Sequence, residues 1–323
     1  SHAVEQQLGV NHEDLSIAVV TGDTAVGQIL RSRGGDELAR RIADHIGGTS
    51  DEPTTQFISS QLDADRSDYI LRDGYYAGVP NARFDLHRIV QLLHVDKDGL
   101  LFDVRAQTAI EGYFIARYHL YLQLYYHKTV RSAEAMLRSL LLRARELGEG
   151  GHDLGGIADP VKRFFSGGAS NEALNLTDHD LWGAFHVWAR WGKDTVLREL
   201  CRRLRERDLF KAVEVPVDES VEVTTKHLPK IHELARSKGF DPEYFVLLDT
   251  AKDTPYKIAD ISASQASHRS VRLLLPNGHV RSLEVNSGLI RQLQDEAYKK
   301  IRLCFPREIR EEVLTILPTN MRV

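Results

Sequence analysis

The sequence predicts a mostly α fold, a helical bundle followed by a small α+β unit. Up to about residue 210, apolar residues recur at the three- and four-residue spacing typical of helices. After Pro216, strand-like apolar runs alternate with helical ones. The 323 residues are 42% hydrophobic, which is enough for a sizeable core and two domains. We therefore expect a helical domain over residues 1–210 and an α+β domain over residues 211–323.

Six segments of the first region carry the helical spacing. They are residues 12–20, 36–46, 54–76, 106–126, 129–147 and 194–207. Thr177, followed by Asp180 ahead of an apolar run, indicates a further helix start. Residues 88–104 break the pattern, because two apolar runs flank Asp98 and Gly99, which predicts a β-hairpin.

The last region contains three recognisable elements. They are a helix over residues 227–240, a strand over residues 244–251, and a hairpin over residues 271–285. The hairpin is expected to turn at Asn277 and Gly278.

Charge and cysteine content narrow the class of protein. The net charge is −4, from 42 basic and 46 acidic residues, so no global field would recruit nucleic acid or an anionic membrane. Cys201 and Cys304 are too few for a disulfide framework or a thiolate metal site, which favours the reducing cytoplasm. No run approaches the ~18 apolar residues of a membrane span. We therefore expect neither a membrane nor nucleic acid as a partner.

An unusual density of acids marks residues 59–79. Asp63, Asp65, Asp68 and Asp73 fall within eleven residues of one predicted helix. At helical spacing, Asp65, Tyr69, Arg72 and Asp73 share one arc of the surface. Spacing alone also fits a solvated acidic face neutralised by its own arginines. A lone carboxylate cannot hold a metal, so the ligand hypothesis requires partners from elsewhere.

Four segments together resemble one family. Residues 62–79, LDADRSDYILRDGYYAGV, resemble the last metal-binding segment of the HD-domain deoxynucleoside triphosphate triphosphohydrolases. Residues 1–16 resemble the family's Ser-His stretch and the His-Glu pair that follows it, and residues 124–137 resemble its Tyr-x-His-Lys helix. The similarity continues in order through LTDHDLW and RERDLFK to about residue 211.

The resemblance implies an HD-type helical catalytic domain that hydrolyses deoxynucleoside triphosphates to deoxynucleoside and triphosphate. It implies that Asp65 is one ligand of a divalent metal ion, which would be Mg, Mn, Fe, Ni or Zn. The family's other ligands, a His and a His-Asp pair, would precede residue 1. We therefore expect that an N-terminal piece is missing and that this chain is inactive by itself.

The same resemblance implies roles for eight further residues. His12 would protonate the leaving 5′ oxygen, with Glu13 orienting it, since an unperturbed histidine has a pKa near ~6.5. The implied phosphate contacts are His2, Arg66 and Arg117. The implied sugar contacts are Tyr69, Asp73 and Tyr125, of which Tyr125 would lie under the deoxyribose and disfavour a 2′-hydroxyl.

Simpler interpretations of three of these residues remain open. His12 fits the first turn of a helix without any catalytic role. Tyr125 belongs to an aromatic stripe of the kind that usually packs in a core. Arg117 fits an ordinary surface contact with Glu111 or Asp103.

A second set of matches concerns regulation. Residues 84–88, FDLHR, resemble the segment with which relatives bind an activating nucleotide between subunits. Asp85 and Arg88 match the base contacts of that site, while Lys128 and Arg105 match its phosphate contacts. The resemblance therefore implies a homo-oligomer, a dimer or tetramer, with a nucleotide activator. The simpler alternative is that Asp85 caps a helix, Arg88 is exposed and Lys128 faces solvent.

Two other functions remain open. One is a non-catalytic HD protein that binds nucleotides or nucleic acid, for which residues 190–211, with eight basic and four acidic residues, are the best local feature. The other is an HD phosphohydrolase acting on cyclic or polyphosphorylated guanosine nucleotides.

Overall fold

A computed structural model describes residues 11–168, 176–253, 270–295 and 298–321. The fold is mostly α, which confirms the predicted class. The chain divides into two compact units. Unit I comprises residues 16–126 and 252–298, and unit II comprises residues 1–15, 127–251 and 299–323. Within the described ranges, no helix is both long enough and apolar enough to cross a membrane.

The helices are numbered in chain order. They are α1 (His12–Thr21), α2 (Ala25–Ile46), α3 (Ala64–Tyr76), α4 (Leu86–Gln91), α5 (Gln107–Leu120), α6 (Lys128–Glu149), α7 (Asp159–Arg163), α8 (Asp178–Trp191), α9 (Thr195–Glu206), α10 (Leu228–Ser237), α11 (Pro242–Phe245), α12 (Leu283–Asn286), α13 (Gly288–Asp295) and α14 (Arg310–Ile316). Short 3₁₀ turns cover Pro53–Phe57, Val104–Ala106, Arg307–Ile309 and Thr319–Met321, π-helical turns cover Tyr121–Tyr125, Phe164–Gly168 and Val223–His227, and a single α turn covers Ser220–Glu222.

The strands form one sheet in each unit. They are β1 (Leu93–Asp96), β2 (Gly99–Asp103), β3 (Lys211–Val215), β4 (Leu247–Asp253), β5 (Arg272–Leu274), β6 (Val280–Ser282) and β7 (Tyr298–Phe305). The sheet orders are β1-β2-β5-β6 and β3-β7-β4. β1 and β2 form the hairpin predicted at Asp98 and Gly99, and β5 and β6 form the one predicted at Asn277 and Gly278. Gly278 has φ +80°, a left-handed conformation that glycine adopts without strain.

The boundary between units differs from the one predicted at residue 210. The β5–β6 hairpin pairs with β2 of unit I, with Leu101 opposite Arg272 in a parallel register. β7 pairs instead with β3 of unit II, with Val213 opposite Leu303. The last hundred residues are thus divided between the units, because their strands complete two separate sheets.

Most predicted helices are present, with local differences. The segment predicted as one helix over residues 54–76 is interrupted, because the Asp63 carboxylate accepts a 2.8 Å hydrogen bond from the Arg66 N–H and starts α3 there. α2 begins earlier than predicted, at Ala25, and contains non-helical Gly34 and Gly35. Thr177 and Asp180 form the expected capping box of α8.

Each unit has its own core. In unit I, α3 and α5 bury Ile70, Ile110 and Phe114 under the β1-β2-β5-β6 sheet, and all three are fully enclosed. In unit II, α6, α8 and α9 pack around a cluster that includes Leu140, Trp188 and Leu200. A further cluster, which includes Ile231 and Leu303, joins α10 to the β3-β7-β4 sheet. The candidate site residues of α3 and α5 are therefore held by the packed core of unit I.

Candidate functional site

The start of α3 is fixed by a buried carboxylate. Asp63 is 2% exposed and accepts hydrogen bonds from the backbone N–H of Ser60, at 3.1 Å, and of Arg66, at 2.8 Å. The Arg66 guanidinium also pairs with Asp63 and donates to the Ser60 carbonyl at 2.7 Å. The predicted phosphate contact Arg66 is thus engaged with the helix cap, although its side chain remains 36% exposed.

Asp65, the predicted metal ligand, lies in the first turn of α3 and is exposed. A carboxylate at this position is favoured by the partial positive charge of the helix N-terminus. Its oxygens suit a hard divalent ion, but a single carboxylate does not make a site. Among residues 11–168, 176–253, 270–295 and 298–321, no three His, Cys, Asp or Glu side chains are grouped to hold a metal. The described residues therefore do not form a complete metal site by themselves, and Asp65 stays a predicted ligand.

About two turns further along the same face of α3, a phenol contacts the carboxylate of Asp73. The Tyr125 hydroxyl donates to Asp73 Oδ2 at 2.5 Å. Arg72 lies beside the other oxygen of Asp73, at 3.6 Å from Nη1 to Oδ1. Tyr69 packs against Tyr125 edge to face, with ring centroids 6.4 Å apart. The structure thus brings together the three predicted sugar contacts.

A buried arginine on α5 adds a positive charge to this group. Arg117 is 6% exposed, and its guanidinium lies 5.3 Å from the centre of the Tyr121 ring. Tyr121 in turn contacts Tyr125, with centroids 5.0 Å apart. Arg117 is therefore buried, which differs from the ordinary surface position that the simpler interpretation gave it. We call Tyr69, Asp73, Arg117, Tyr121 and Tyr125 the tyrosine site.

A change of helical pitch places these rings. α5 ends at Leu120 and continues as a π-helical turn, in which the Tyr126 N–H donates to the Tyr121 carbonyl at 2.7 Å. The wider turn moves Tyr121 and Tyr125 out of ordinary α register, and such turns are frequent at functional sites. Tyr121 is the member of the tyrosine site that the sequence-based prediction missed.

Two phenols of the tyrosine site, those of Tyr69 and Tyr125, are held protonated. Burial raises the pKa of Tyr125 above its usual value, and the hydrogen bond to the Asp73 carboxylate raises it further. Burial, followed by the neighbouring Tyr121, raises the pKa of Tyr69. At neutral pH both groups are therefore hydrogen-bond donors, beside one carboxylate and one guanidinium. This combination of groups suits a ligand that has hydroxyl groups and an anionic end.

The predicted acid and its partner lie at the start of α1. His12 and Glu13 are both exposed, and the Glu13 N–H donates to Asn11 Oδ1 at 2.9 Å. They fall in the part of the chain assigned to unit II, whereas Asp65 belongs to unit I. His2 lies outside the described residues. The structure therefore establishes the helix position of His12, and its catalytic role stays a prediction.

Three predicted activator contacts lie in unit I, and each has a local role. Asp85 caps α4 by accepting from the Arg88 N–H at 2.9 Å, and the Arg88 side chain is exposed. Arg105 donates two hydrogen bonds to Asp103, at 2.9 and 2.8 Å. The Arg105 guanidinium lowers the pKa of Asp103 to about 2. Asp85 thus has the capping geometry of the simpler alternative, while the guanidinium of Arg88 reaches solvent.

The fourth predicted contact, Lys128, borders a groove in unit II. The groove has a volume of about 760 Å³ and is lined from α6, α9, β3 and α14. Of its cations, Arg202, Arg307 and Arg310 form ion pairs with carboxylates. Among the described residues, no carboxylate lies within ion-pair distance of the other three, which are Lys128, Arg207 and Lys211.

Arg207 has an unusual backbone. It ends α9 with φ +56°, the one positive φ at a non-glycine residue in the part of the chain that the structure describes. Such a conformation is disfavoured for a side chain with a Cβ and more often holds glycine. Arg207 and Lys211 lie in RERDLFK, a segment whose similarity was visible in the sequence without any role attached to its residues.

The comparisons with known proteins agree with this fold. Residues 84–153 match the family model described as the HD associated region. The uncharacterised protein YwfO of Bacillus subtilis is 29% identical over 311 residues, which is 96% of this chain and 70% of that protein. The uncharacterised protein MJ1154 of Methanocaldococcus jannaschii is 35% identical over 94 residues, 27% of this chain and 20% of that protein.

Two solved structures are similar along almost the whole chain. A phosphohydrolase from Bacteroides thetaiotaomicron gives a TM-score of 0.75 at 26% identity, over 95% of this chain and 75% of that one. A hypothetical protein from Aquifex aeolicus gives a TM-score of 0.68 at 23% identity, over 98% of this chain and 75% of that one, and it supports the fold alone. Together the matches support an HD-domain protein with the fold of a phosphohydrolase.

Proposed function

We propose that this chain is part of a metal-dependent hydrolase that releases triphosphate from deoxynucleoside triphosphates. The observation that carries the proposal is the tyrosine site, in which phenol donors, a carboxylate and a buried guanidinium lie together on α3, α5 and the π-helical turn after α5. The HD-associated region and the phosphohydrolase likeness support the reaction class. The deoxynucleotide substrate rests on the resemblance of residues 62–79 and 124–137.

The sugar is assigned to Tyr69, Asp73 and Tyr125. The Asp73 carboxylate, which accepts from Tyr125 at 2.5 Å, is a strong acceptor for a sugar hydroxyl. The rings of Tyr69 and Tyr125 offer flat apolar faces for the deoxyribose carbons. We propose that Tyr125, fixed by Asp73, disfavours a 2′-hydroxyl by occupying the space under the ring.

The phosphates are assigned to Arg117, with Arg66 at the start of α3. Arg117 is held by burial and by the Tyr121 ring, so little conformational freedom is lost when it meets an anion. Arg66 reaches solvent while tied to Asp63. A divalent metal, when bound, would activate the attacking water and polarise the phosphoryl oxygen. His12, oriented by Glu13, is proposed to donate a proton to the leaving 5′ oxygen.

The metal would need ligands beyond Asp65. We propose that a His and a His-Asp pair are supplied by sequence preceding Ser1 in the gene's full product, as the resemblance implies. The thiols of Cys201 and Cys304 are buried, and burial raises the pKa of both. Neither is therefore assigned to the metal. Both are free thiols, which suits a reducing cytoplasm, and this is the proposed location.

Control by a second nucleotide is proposed on two grounds. Arg88 presents a planar guanidinium to solvent, which suits stacking on a base. Lys128, Arg207 and Lys211 offer three cations for phosphates in the unit II groove. We propose that a nucleotide activator binds between subunits through groups of this kind, and that its binding assembles a dimer or tetramer.

The test is triphosphate release by the full gene product. Inorganic triphosphate and deoxynucleoside should form in equal amounts from a dNTP, and bound metal should be stoichiometric by elemental analysis. Asp65→Ala should remove both metal and activity, whereas Asp68→Ala, a matched change at an exposed acid on the same helix, should keep both. Turnover that survives Asp65→Ala would contradict the proposal.

A substrate panel separates the alternatives. Faster hydrolysis of cyclic or polyphosphorylated guanosine nucleotides than of dNTPs would support the proposed hydrolase activity but contradict the proposed dNTP substrate. Tight nucleotide binding without turnover, in a full product that binds metal, would favour a non-catalytic role.

A further inference from the structure

All three tryptophans of the chain lie on one helix, α8 of unit II. Trp188 is 1% exposed and packs in the core, whereas Trp182 is 53% and Trp191 is 67% exposed. Burying an indole side chain is strongly favourable, because it removes a large apolar area from water. Two exposed indoles on one helix therefore mark a candidate binding surface. The tyrosine site uses neither.

The two exposed indoles flank the solvent side of α8. At about 100° per residue, Trp182 and Trp191 lie at opposite edges of that side, with His186 and Arg190 between them, and about 13 Å apart along the axis. The Arg190 guanidinium lies 5.9 Å from the centre of the Trp191 ring. The His186 ring lies 6.4 Å from the same indole.

Positive charge accompanies these rings. α9 packs beside α8, and its Arg198 and Arg205 are seven residues apart, so both lie on one side of α9. Desolvation and the charges of Arg205 and Arg190 lower the pKa of His186, which places both guanidiniums within electrostatic reach of that ring. In the described ranges, no carboxylate lies within ion-pair distance of Arg190, Arg198 or Arg205.

We propose that this surface binds single-stranded nucleic acid. The indoles of Trp182 and Trp191 would stack on bases, while Arg190, Arg198 and Arg205 would pair with phosphates. We call these five residues, with His186, the α8–α9 surface. The overall charge of −4 does not attract such a partner, but the charge here is local, because all three arginines belong to the basic stretch of residues 190–211.

Charge complementarity favours this occupant over others. A symmetric contact with a second copy would bring the same three arginines together, and in the described ranges none of them has a carboxylate within ion-pair distance. A membrane would gain little apolar area, because Arg190, His186 and Gly183 separate the two indoles. Duplex DNA would offer phosphates but keep its bases stacked away from the indoles.

The test uses the purified chain and a labelled single-stranded oligodeoxythymidine. Binding, followed by anisotropy, should quench the tryptophan emission. Trp191→Ala should weaken binding about tenfold, while Trp191→Phe, which keeps a stacking ring, should stay near the unchanged protein. Replacing Arg198 and Arg205 with Gln should flatten the dependence of log Kd on log salt by about 0.7 per charge.

Controls separate binding from folding. Tyr76→Ala with Arg83→Ala removes an exposed ring and an exposed cation from unit I and should leave binding unchanged. The double variant Trp182→Ala and Trp191→Ala keeps only buried Trp188, whose emission should not respond to the oligonucleotide. Circular dichroism and the Tm verify that each variant is folded.

Four results would overturn the proposal. The first is oligonucleotide binding that is unchanged in the Trp182 and Trp191 variants, and the second is equal affinity for duplex DNA without quenching of tryptophan emission. The third is a response to anionic vesicles but not to the oligonucleotide, and the fourth is dissociation of an oligomer when Trp182 or Trp191 is replaced. Because the readout is binding by the chain itself, it is independent of whether the proposed hydrolase activity is confirmed.

Discussion

Tyr125 and Asp73, 52 positions apart in the sequence, form a 2.5 Å hydrogen bond that ties the π-helical turn after α5 to the last half of α3. The phenol donates, and the carboxylate has Arg72 on its other side. The bond therefore fixes two groups that the proposed function assigns to the sugar, and it also contributes to the stability of unit I.

Removing the phenol should have a measurable effect on stability. Tyr125→Phe leaves the Asp73 carboxylate, whose side chain is 31% exposed, with Arg72 alone. A hydrogen bond to a charged group contributes about 1.5–3 kcal/mol, and partial solvation reduces this, so we expect a loss of about 1 kcal/mol. Urea unfolding measures it, with Tyr76→Phe, at an exposed ring, as the matched control.

In the full gene product, removing the Tyr125 ring tests its proposed contact with the sugar. Tyr125→Ala empties the space under the sugar, so it should narrow the preference for a dNTP over the matching ribonucleotide and leave the metal content unchanged. If discrimination between the two sugars is unaffected, Tyr125 has only a packing role.

Replacing Asp63 and Asp65, two positions apart, should change stability by very different amounts. Asp63→Ala removes the cap of α3 and leaves Arg66 without its carboxylate, so we expect a loss of about 2–3 kcal/mol of stability. Asp65→Ala, at an exposed position, should change stability by less than about 0.5 kcal/mol. Chemical denaturation of the two variants is the measurement, and equal effects would contradict the assigned roles.

The sequence predicted those parts of the fold that depend on local signals. The hairpins at Asn277–Gly278 and Asp98–Gly99, and the capping box of Thr177, follow from residues adjacent to the element itself. The parallel pairing of β2 with β5 joins Leu101 to Arg272, and no local signal specifies such a distant partner. The division of the last hundred residues between two units was missed for this reason.

The site residues were likewise predicted only in part. The resemblance singled out Asp73 and Tyr125, which the structure places in contact, but it left Tyr121 unassigned. Tyr121 joins the site through a π-helical turn, and helical periodicity assumes ordinary α register. Asp63 and Asp65 look alike in the sequence, and only the fold distinguishes the buried cap from the exposed carboxylate.

The Asp103–Arg105 pair should make stability depend on acid pH. Arg105 lowers the pKa of Asp103 from 3.8 to about 2, so the charged form is favoured in the folded state. The contribution is therefore present above about pH 4 and is lost as the pH falls through about 2. Asp103→Asn should be less stable than the unchanged protein at pH 7, and the difference should shrink at pH 2. Thermal unfolding at both pH values measures this, and a difference independent of pH would reject the pair as its cause.

The last prediction concerns control by a second nucleotide, for which Arg88 allows a clean test. Its backbone N–H donates to the Asp85 carboxylate at 2.9 Å, which caps α4. Its side chain is exposed and takes no part in the cap. Arg88→Ala should therefore leave α4, the metal and the basal rate intact.

If Arg88 stacks on an activator base, the variant should require more activator for the same rate. Coupling of this kind is typically ~1–3 kcal/mol, so the activation constant should rise about five- to 150-fold, and saturating nucleotide should restore assembly. Initial rates for one dNTP, titrated with a second nucleotide while oligomer mass is followed, measure both effects. Arg83→Ala, at a neighbouring exposed arginine, is the control. Activation and assembly curves of Arg88→Ala that superimpose on those of the unchanged protein would leave Asp85 as a helix cap and Arg88 as a surface charge.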